Sequence, residues 1–194
     1  MPPDPGTGKP GPGVLPPNPN TPKECVDVTD VDATPLRRLT NADYINSVTD
    51  LLGDVSAVTM DFTPELTTED YPFRNKASEQ QTPPVLTFQY LTIAEKLAQD
   101  VVKNRLSRVL TCDPATGEPA CAKSFIASFA GKAFRRPIDA DQASVLMSVW
   151  QVGRDTGASF NAGVEAVITA VLQMPEFLYR FELSPAVAGK KLIP

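Results

Sequence analysis

Two arginine pairs, Arg37–Arg38 and Arg135–Arg136, are the side chains of this sequence best suited to chemistry. A guanidinium is a rigid fork of donors that meets a carboxylate or phosphate through two parallel hydrogen bonds, so adjacent arginines suggest either an anion site or a clamp on nearby acids and carbonyls. Each pair precedes an acidic helix start, Asp43 for the first and Asp139 with Asp141 for the second. That placement favours the clamp, with the cations tying helix entries to neighbouring helices. Asp43 and Asp50 sit on successive turns of one helix, where paired carboxylates could divide acid and base roles, but acids on a helix surface are ordinarily solvated rather than catalytic. There is no histidine in the 194 residues. This removes Ser–His and Cys–His nucleophiles within the chain, the commonest metal ligand and histidine ligation of haem. No catalytic, cofactor-binding or metal-binding residue is assigned, and no cofactor is expected in this chain.

Cys112 and Cys121 bracket DPATGEPA, a stretch containing two prolines and one glycine that must turn. Turn residues between the two thiols favour a disulfide over a pair of small buried cysteines. Closing so short a loop contributes about 2–3 kcal/mol through chain entropy and points to an oxidising compartment. Cys25 is then left over; Pro22, Lys23 and Glu24 before it do not form a lipidation site, and a partner elsewhere in a longer polypeptide is expected. Gly6, Gly8 and Gly11 satisfy G-x-G-x-x-G, yet Pro10 and Pro12 prevent the helix that would bind a phosphate. Asp27, Asp30 and Asp32 lack the glycine and distal glutamate of a calcium loop and are expected to be a solvated acidic lead-in.

A formal net charge of -5 argues against nucleic acid as a partner, because phosphate recognition needs a concentrated basic face. No apolar run reaches the roughly 18–20 residues of a membrane span, and no signal-like segment follows Met1. Ten of the 20 prolines fall in the first 35 residues. That composition reads as a disordered, polyproline-like tether over 1–34 and resembles the region behind a removed signal or anchor. Export to the periplasm, the outer membrane or the extracellular space is therefore expected.

The elements that must carry the arginines are helices. Thr40 with Asp43 has capping spacing, Leu39 and Tyr44 stand at staple positions, Ile45, Val48, Leu51 and Leu52 make an inward stripe, and Gly53 ends the element. Residues 54–82 lose all periodicity and read as a long surface loop, with Asp70, Tyr71, Phe73, Arg74 and Asn75 either pinning it or offering a partner surface. Thr82–Pro83 opens a helix of about 20 residues through Leu86, Tyr90, Ile93, Ala94, Leu97 and Val101. Phe125, Ile126, Phe129, Ala130, Ala133 and Phe134 share a face until Pro137. Asp139 and Gln142 form a second capping box, followed by Val145, Leu146, Val149 and Trp150 and a stop at Gly153 to Gly157. Ser159 or Asn161 opens a helix with Phe160, Val164, Val167, Ile168, Val171 and Leu172 inward, and a short piece follows Pro175. Nothing alternates with period two. The expectation is an all-α, irregular bundle of about five to six helices behind the tether, divided as 35–110, 111–158 and 159–194.

Three segments carry a family likeness. RRLTNADYINSVTDLLGD resembles the opening module, and FIASFAGKAFRRPIDADQ the second module, of large exported planctomycete and myxobacterial proteins of unknown function. The stretch from Ser159 to Leu183, with LQMPEFLYRFEL, is similar to the start of their central module, unknown-function number fifteen-ninety-two. The resemblance covers about residues 35–185 and implies an N-terminal portion whose partners are the C-terminal modules absent here. Some relatives bear haem modules, but C-x-x-C-H does not occur in this chain. The expected role is a non-catalytic structural or interaction portion of an envelope-associated protein. The alternative is one wall of an extracellular or periplasmic enzyme, polysaccharide-related or haem-linked, whose active site lies in the absent modules.

Overall fold

A computed structural model of the chain describes residues 36–65, 80 and 82–180. The expected tether over 1–34, with Cys25 and the aspartate and glycine sets within it, lies outside the described residues, as do Asp70 to Asn75 and Phe181. Among the described residues the order is β1 (Arg37–Arg38), α1 (Asn41–Leu52), α2 (Pro84–Asn104), α3 (Leu106–Val109), α4 (Glu118–Ala133), α5 (Ala140–Thr156), α6 (Phe160–Val171), α7 (Pro175–Leu178) and β2 (Tyr179–Arg180). The all-α expectation holds.

Local chemistry accounts for most boundaries. Thr40 accepts from the Asp43 amide while the Asp43 carboxylate accepts from the Thr40 amide, and Asp139 with Gln142 repeats the same reciprocal bonding at α5. Each box satisfies amides that the first helical turn leaves without partners. One expected start moves. Pro83 caps α2 and Pro84 takes its first turn, so the Thr82 hydroxyl lies outside the helix, 3.2 Å from the Tyr179 hydroxyl. α4 begins at Glu118, upstream of Cys121, because Pro119 suits a first turn that needs no amide donor.

α6 is the middle of the bundle. Its sequence FNAGVEAVITAV is apolar nearly all round, as a helix touched on several sides requires, and it packs against α2, α4 and α5. Gly153, expected as a helix stop, instead lies within α5: a Cβ there would stand 2.5 Å from the Ala166 Cβ and 2.9 Å from the Ala162 carbonyl. The glycine lets α5 approach α6 closely, and Gly157 is the true cap. Gly163 does the same from the other side, lying against Trp150. Val145, expected inward, is 57% exposed because Leu146 and Trp150 take the buried face.

The loop after α1 is not only surface. Val55 is buried, and Phe62 meets the Tyr44 ring edge-on at 5.1 Å and the Tyr90 ring at 5.4 Å. Tyr44 also meets Phe177 of α7 edge-on at 5.6 Å. This aromatic cluster joins α1, α2 and α7 through side chains far apart in sequence, each ring pair adding about 0.5–1.5 kcal/mol beyond area burial. A second unexpected element is the ribbon of β1 and β2, antiparallel with Arg37 opposite Arg180 and Arg38 opposite Tyr179. Two residues per strand are too few to show alternation in a sequence.

Candidate functional site

Arg38 is 5% exposed, which for an arginine demands partners. It donates to the Tyr90 hydroxyl at 2.6 Å and to the Leu39 carbonyl at 2.8 Å, and pairs with Glu65 at 3.3 Å. Glu65 in turn accepts from the Asn41 amide at 3.1 Å, in the first turn of α1. A loop carboxylate, a strand guanidinium and a helix phenol are thus closed into one buried network. Burial pushes the Tyr90 hydroxyl above the usual phenol range despite the Arg38 charge beside it.

Arg135 follows α4 with φ 60°, a left-handed conformation that favours glycine. Its guanidinium donates to the carbonyls of Phe177 at 3.0 Å and Tyr179 at 3.2 Å, so it closes the end of α7 and the start of β2. Partial burial and then the Arg180 charge push its pKa below the usual arginine range. Arg136 donates to Gln142, the capping residue of α5, and Gln142 passes a hydrogen bond on to Glu176 of α7 at 2.9 Å. Arg37 is half-buried in β1, opposite Arg180, and Arg180 pairs with Asp43 at 3.6 Å. The two arginine pairs therefore do not form one site. Three of the four side chains hold carbonyls, acids or caps of neighbouring elements.

Cys112 and Cys121 are joined as a disulfide with Cα atoms 5.5 Å apart. Between them a single 3-10 turn over Pro114–Thr116 is capped by Asp113. The bridge pins this loop to the first turn of α4.

One cleft of about 370 Å³ opens between α1, the end of α4 and α7. Its lining includes Arg108, Lys132 and Arg135, with Asp50 and Ser47 from α1 and Leu51 and Phe177 behind them. Arg108 donates to the Asp50 carbonyl at 3.1 Å, capping the end of α1. Arg108 and Lys132 are the cleft cations that the arginine-pair reading did not include. The available signal was a basic residue in the last turn of each helix, where the negative end of the helix dipole attracts it. Asp43 and Asp50, the expected carboxylate pair, are separated in role: Asp43 caps α1 and meets Arg180, whereas Asp50 faces the cleft. Among the described residues no group of three His, Cys, Asp or Glu is gathered to hold a metal, and no helix is long and apolar enough to cross a membrane.

Family models match two stretches of the chain. Residues 37–103 match a protein of unknown function, DUF1587, and residues 121–182 match another, DUF1595. The second match takes in α5, α6 and α7. No curated protein and no solved structure matches the chain. The first stretch holds Arg38, Tyr90 and the aromatic cluster, and the second holds Arg135 and its clamp on α7. The chain carries the two modules that precede the unknown-function module fifteen-ninety-two in a family of planctomycete proteins.

Proposed function

We propose that this chain is a non-catalytic structural and interaction portion of an exported, envelope-associated protein, a rigid base for the modules beyond it. The observation that carries the reading is the ribbon: Arg37, where the chain enters the helical body, lies opposite Arg180, where it leaves. A body whose described ends meet at one point suits a spacer or docking base. Two clamps sit beside that point, the buried Arg38 from β1 to α2 and the exposed Arg135 from α4 to β2. Rigidity is thereby concentrated where load from flanking modules would arrive. Export is supported by the Cys112–Cys121 bridge, since such bonds persist in oxidising compartments, and by the Pro-rich composition of 1–34.

The test is made on the full-length gene product in its own cells. Fractionation should place it outside the cytosol, with Cys112 and Cys121 unreactive to thiol labels until reduced. Recovery from the cytosol with both thiols free would contradict export. Any catalytic activity of the whole protein should survive Arg37→Gln, which lies outside the cleft lining, with turnover unchanged; its loss in a correctly folded variant would favour the enzyme-wall alternative.

A further inference from the structure

We propose that the cleft between α1, the end of α4 and α7 binds a small organic oxyanion, a molecule bearing one carboxylate or phosphate group. Three cations line the cleft, Arg108, Lys132 and Arg135, against the single carboxylate of Asp50, in a chain whose formal net charge is -5. None of the three has an acid within ion-pair distance among the described residues. Their other obligations are partial. Arg108 spends one terminal nitrogen on the Asp50 carbonyl, and Arg135 spends one on the carbonyls of Phe177 and Tyr179. Each retains the rest of its donor fork. Among the described residues Lys132 has no side-chain hydrogen bond or ion pair.

The carbonyl ends of α1 and α4 offset part of this positive charge, but those carbonyls are already engaged. The Thr49 carbonyl accepts from the Gly53 amide, Ala130 from Phe134, and Lys132 from Arg135. At Arg135 the charged form is disfavoured by burial and then by repulsion from Arg180, which is itself only partly balanced by Asp43 at 3.6 Å. An incoming anion would relieve that repulsion. Arg135 also occupies a left-handed position where a glycine would fit without strain, so its side chain is retained at a backbone cost.

The ligand class follows from the dimensions. A cleft of about 370 Å³ lies at the small end of pockets that take metabolite-sized molecules and is too small for a helix or folded partner. Leu51, Ala133 and Phe177 give it an apolar back wall behind the polar rim. The Ser47 hydroxyl supplies a neutral donor or acceptor beside the cations.

Titration of the full chain with inorganic phosphate and with glucuronate, at low ionic strength and followed by calorimetry, tests the proposal. Saturable binding of at least one probe is expected, and which probe binds separates phosphate from carboxylate ligands. Lys132→Gln should weaken binding about tenfold by removing a charge-assisted contact. Asp50→Asn should tighten it several-fold by removing the one opposing charge. Lys96→Gln, in a separate open groove with Asp100 and Lys103, should leave it unchanged. Trp150 fluorescence and the melting temperature establish that each variant is folded. No saturable binding of either probe, equal weakening by Lys96→Gln, or a Lys132→Gln variant that binds as the parent does would each overturn the assignment.

Discussion

The Arg38 guanidinium lies 2.6 Å from the Tyr90 hydroxyl across 52 residues of sequence, both groups buried. Strand β1 and helix α2 are tied there, with Glu65 completing the charge balance. Arg38→Ala should destabilise the protein by about 3–5 kcal/mol, because Glu65 is left as a buried unpaired charge. Tyr90→Phe removes only one partner of a charged hydrogen bond and should cost about 1.5–3 kcal/mol. Urea melts of the two variants and of the double variant measure the coupling. Strictly additive losses would show that the two side chains do not act as a pair.

Tyr44 is fully buried among Phe62, Tyr90 and Phe177, and its hydroxyl has no hydrogen-bond partner among the described residues. Burial, followed by the neighbouring Tyr90, raises its pKa far above the usual phenol range. A folded-state pKa raised above the unfolded one means that the unfolded chain releases this proton first. The corresponding stability is fully present below about pH 10 and is lost as pH rises beyond it. Tyr44→Phe should be neutral or stabilising by about 1 kcal/mol, since an unsatisfied hydroxyl is removed. Its alkaline unfolding midpoint should move to higher pH. A lower midpoint in the variant would contradict the assignment.

Much of the helical frame is legible because its signals are local. Thr40 with Asp43 and Asp139 with Gln142 each lie within four residues, and Ser159 caps α6 through the Ala162 amide. What the sequence does not display is whatever closes over long separations. Arg135 reaches Phe177 across 42 residues and Arg38 reaches Glu65 across 27, and no spacing rule marks either pair. Gly153 reads as punctuation by residue type and proves to be a contact point by position. The burial of Phe177 and Leu178, at 1% and 8%, is hidden for the same reason: Tyr44 of the distant α1 covers the first of them. The cleft escaped notice because Arg108 and Lys132 come from different helices and meet only in the fold.

Gly163 faces Trp150 so closely that a Cβ would stand 2.6 Å from the indole ring and 2.8 Å from the Trp150 carbonyl. The carbonyl cannot yield as a side chain could. Gly163→Ala should therefore destabilise by about 1–3 kcal/mol through overpacking, against the usual gain from replacing glycine in a helix. Thermal melts followed by circular dichroism read the sign directly, and a stabilised variant would mean that α5 and α6 have slack.

Reducing the Cys112–Cys121 bridge, or replacing both residues with alanine, should cost about 2–3 kcal/mol for a loop of this length. The sequence separation is 9 residues, and the loop carries its own capped turn. The loss should fall mainly on the start of α4. Hydrogen exchange of the Ala122 and Lys123 amides before and after reduction checks this, and unchanged protection would show that Pro119 and the α4 core suffice without the bridge.

The central claim is that the two matched modules share one core, with α2 of the first packed against α6 of the second. Trp150, the single tryptophan, reports only the second module, whereas helical circular dichroism reports both. The decisive measurement is urea unfolding of the chain by both signals, in the parent and in Leu97→Ala, a buried α2 substitution expected to cost about 2–5 kcal/mol. The account predicts one coincident transition, shifted equally in both signals by Leu97→Ala. A tryptophan transition left in place while helicity is lost earlier would contradict it.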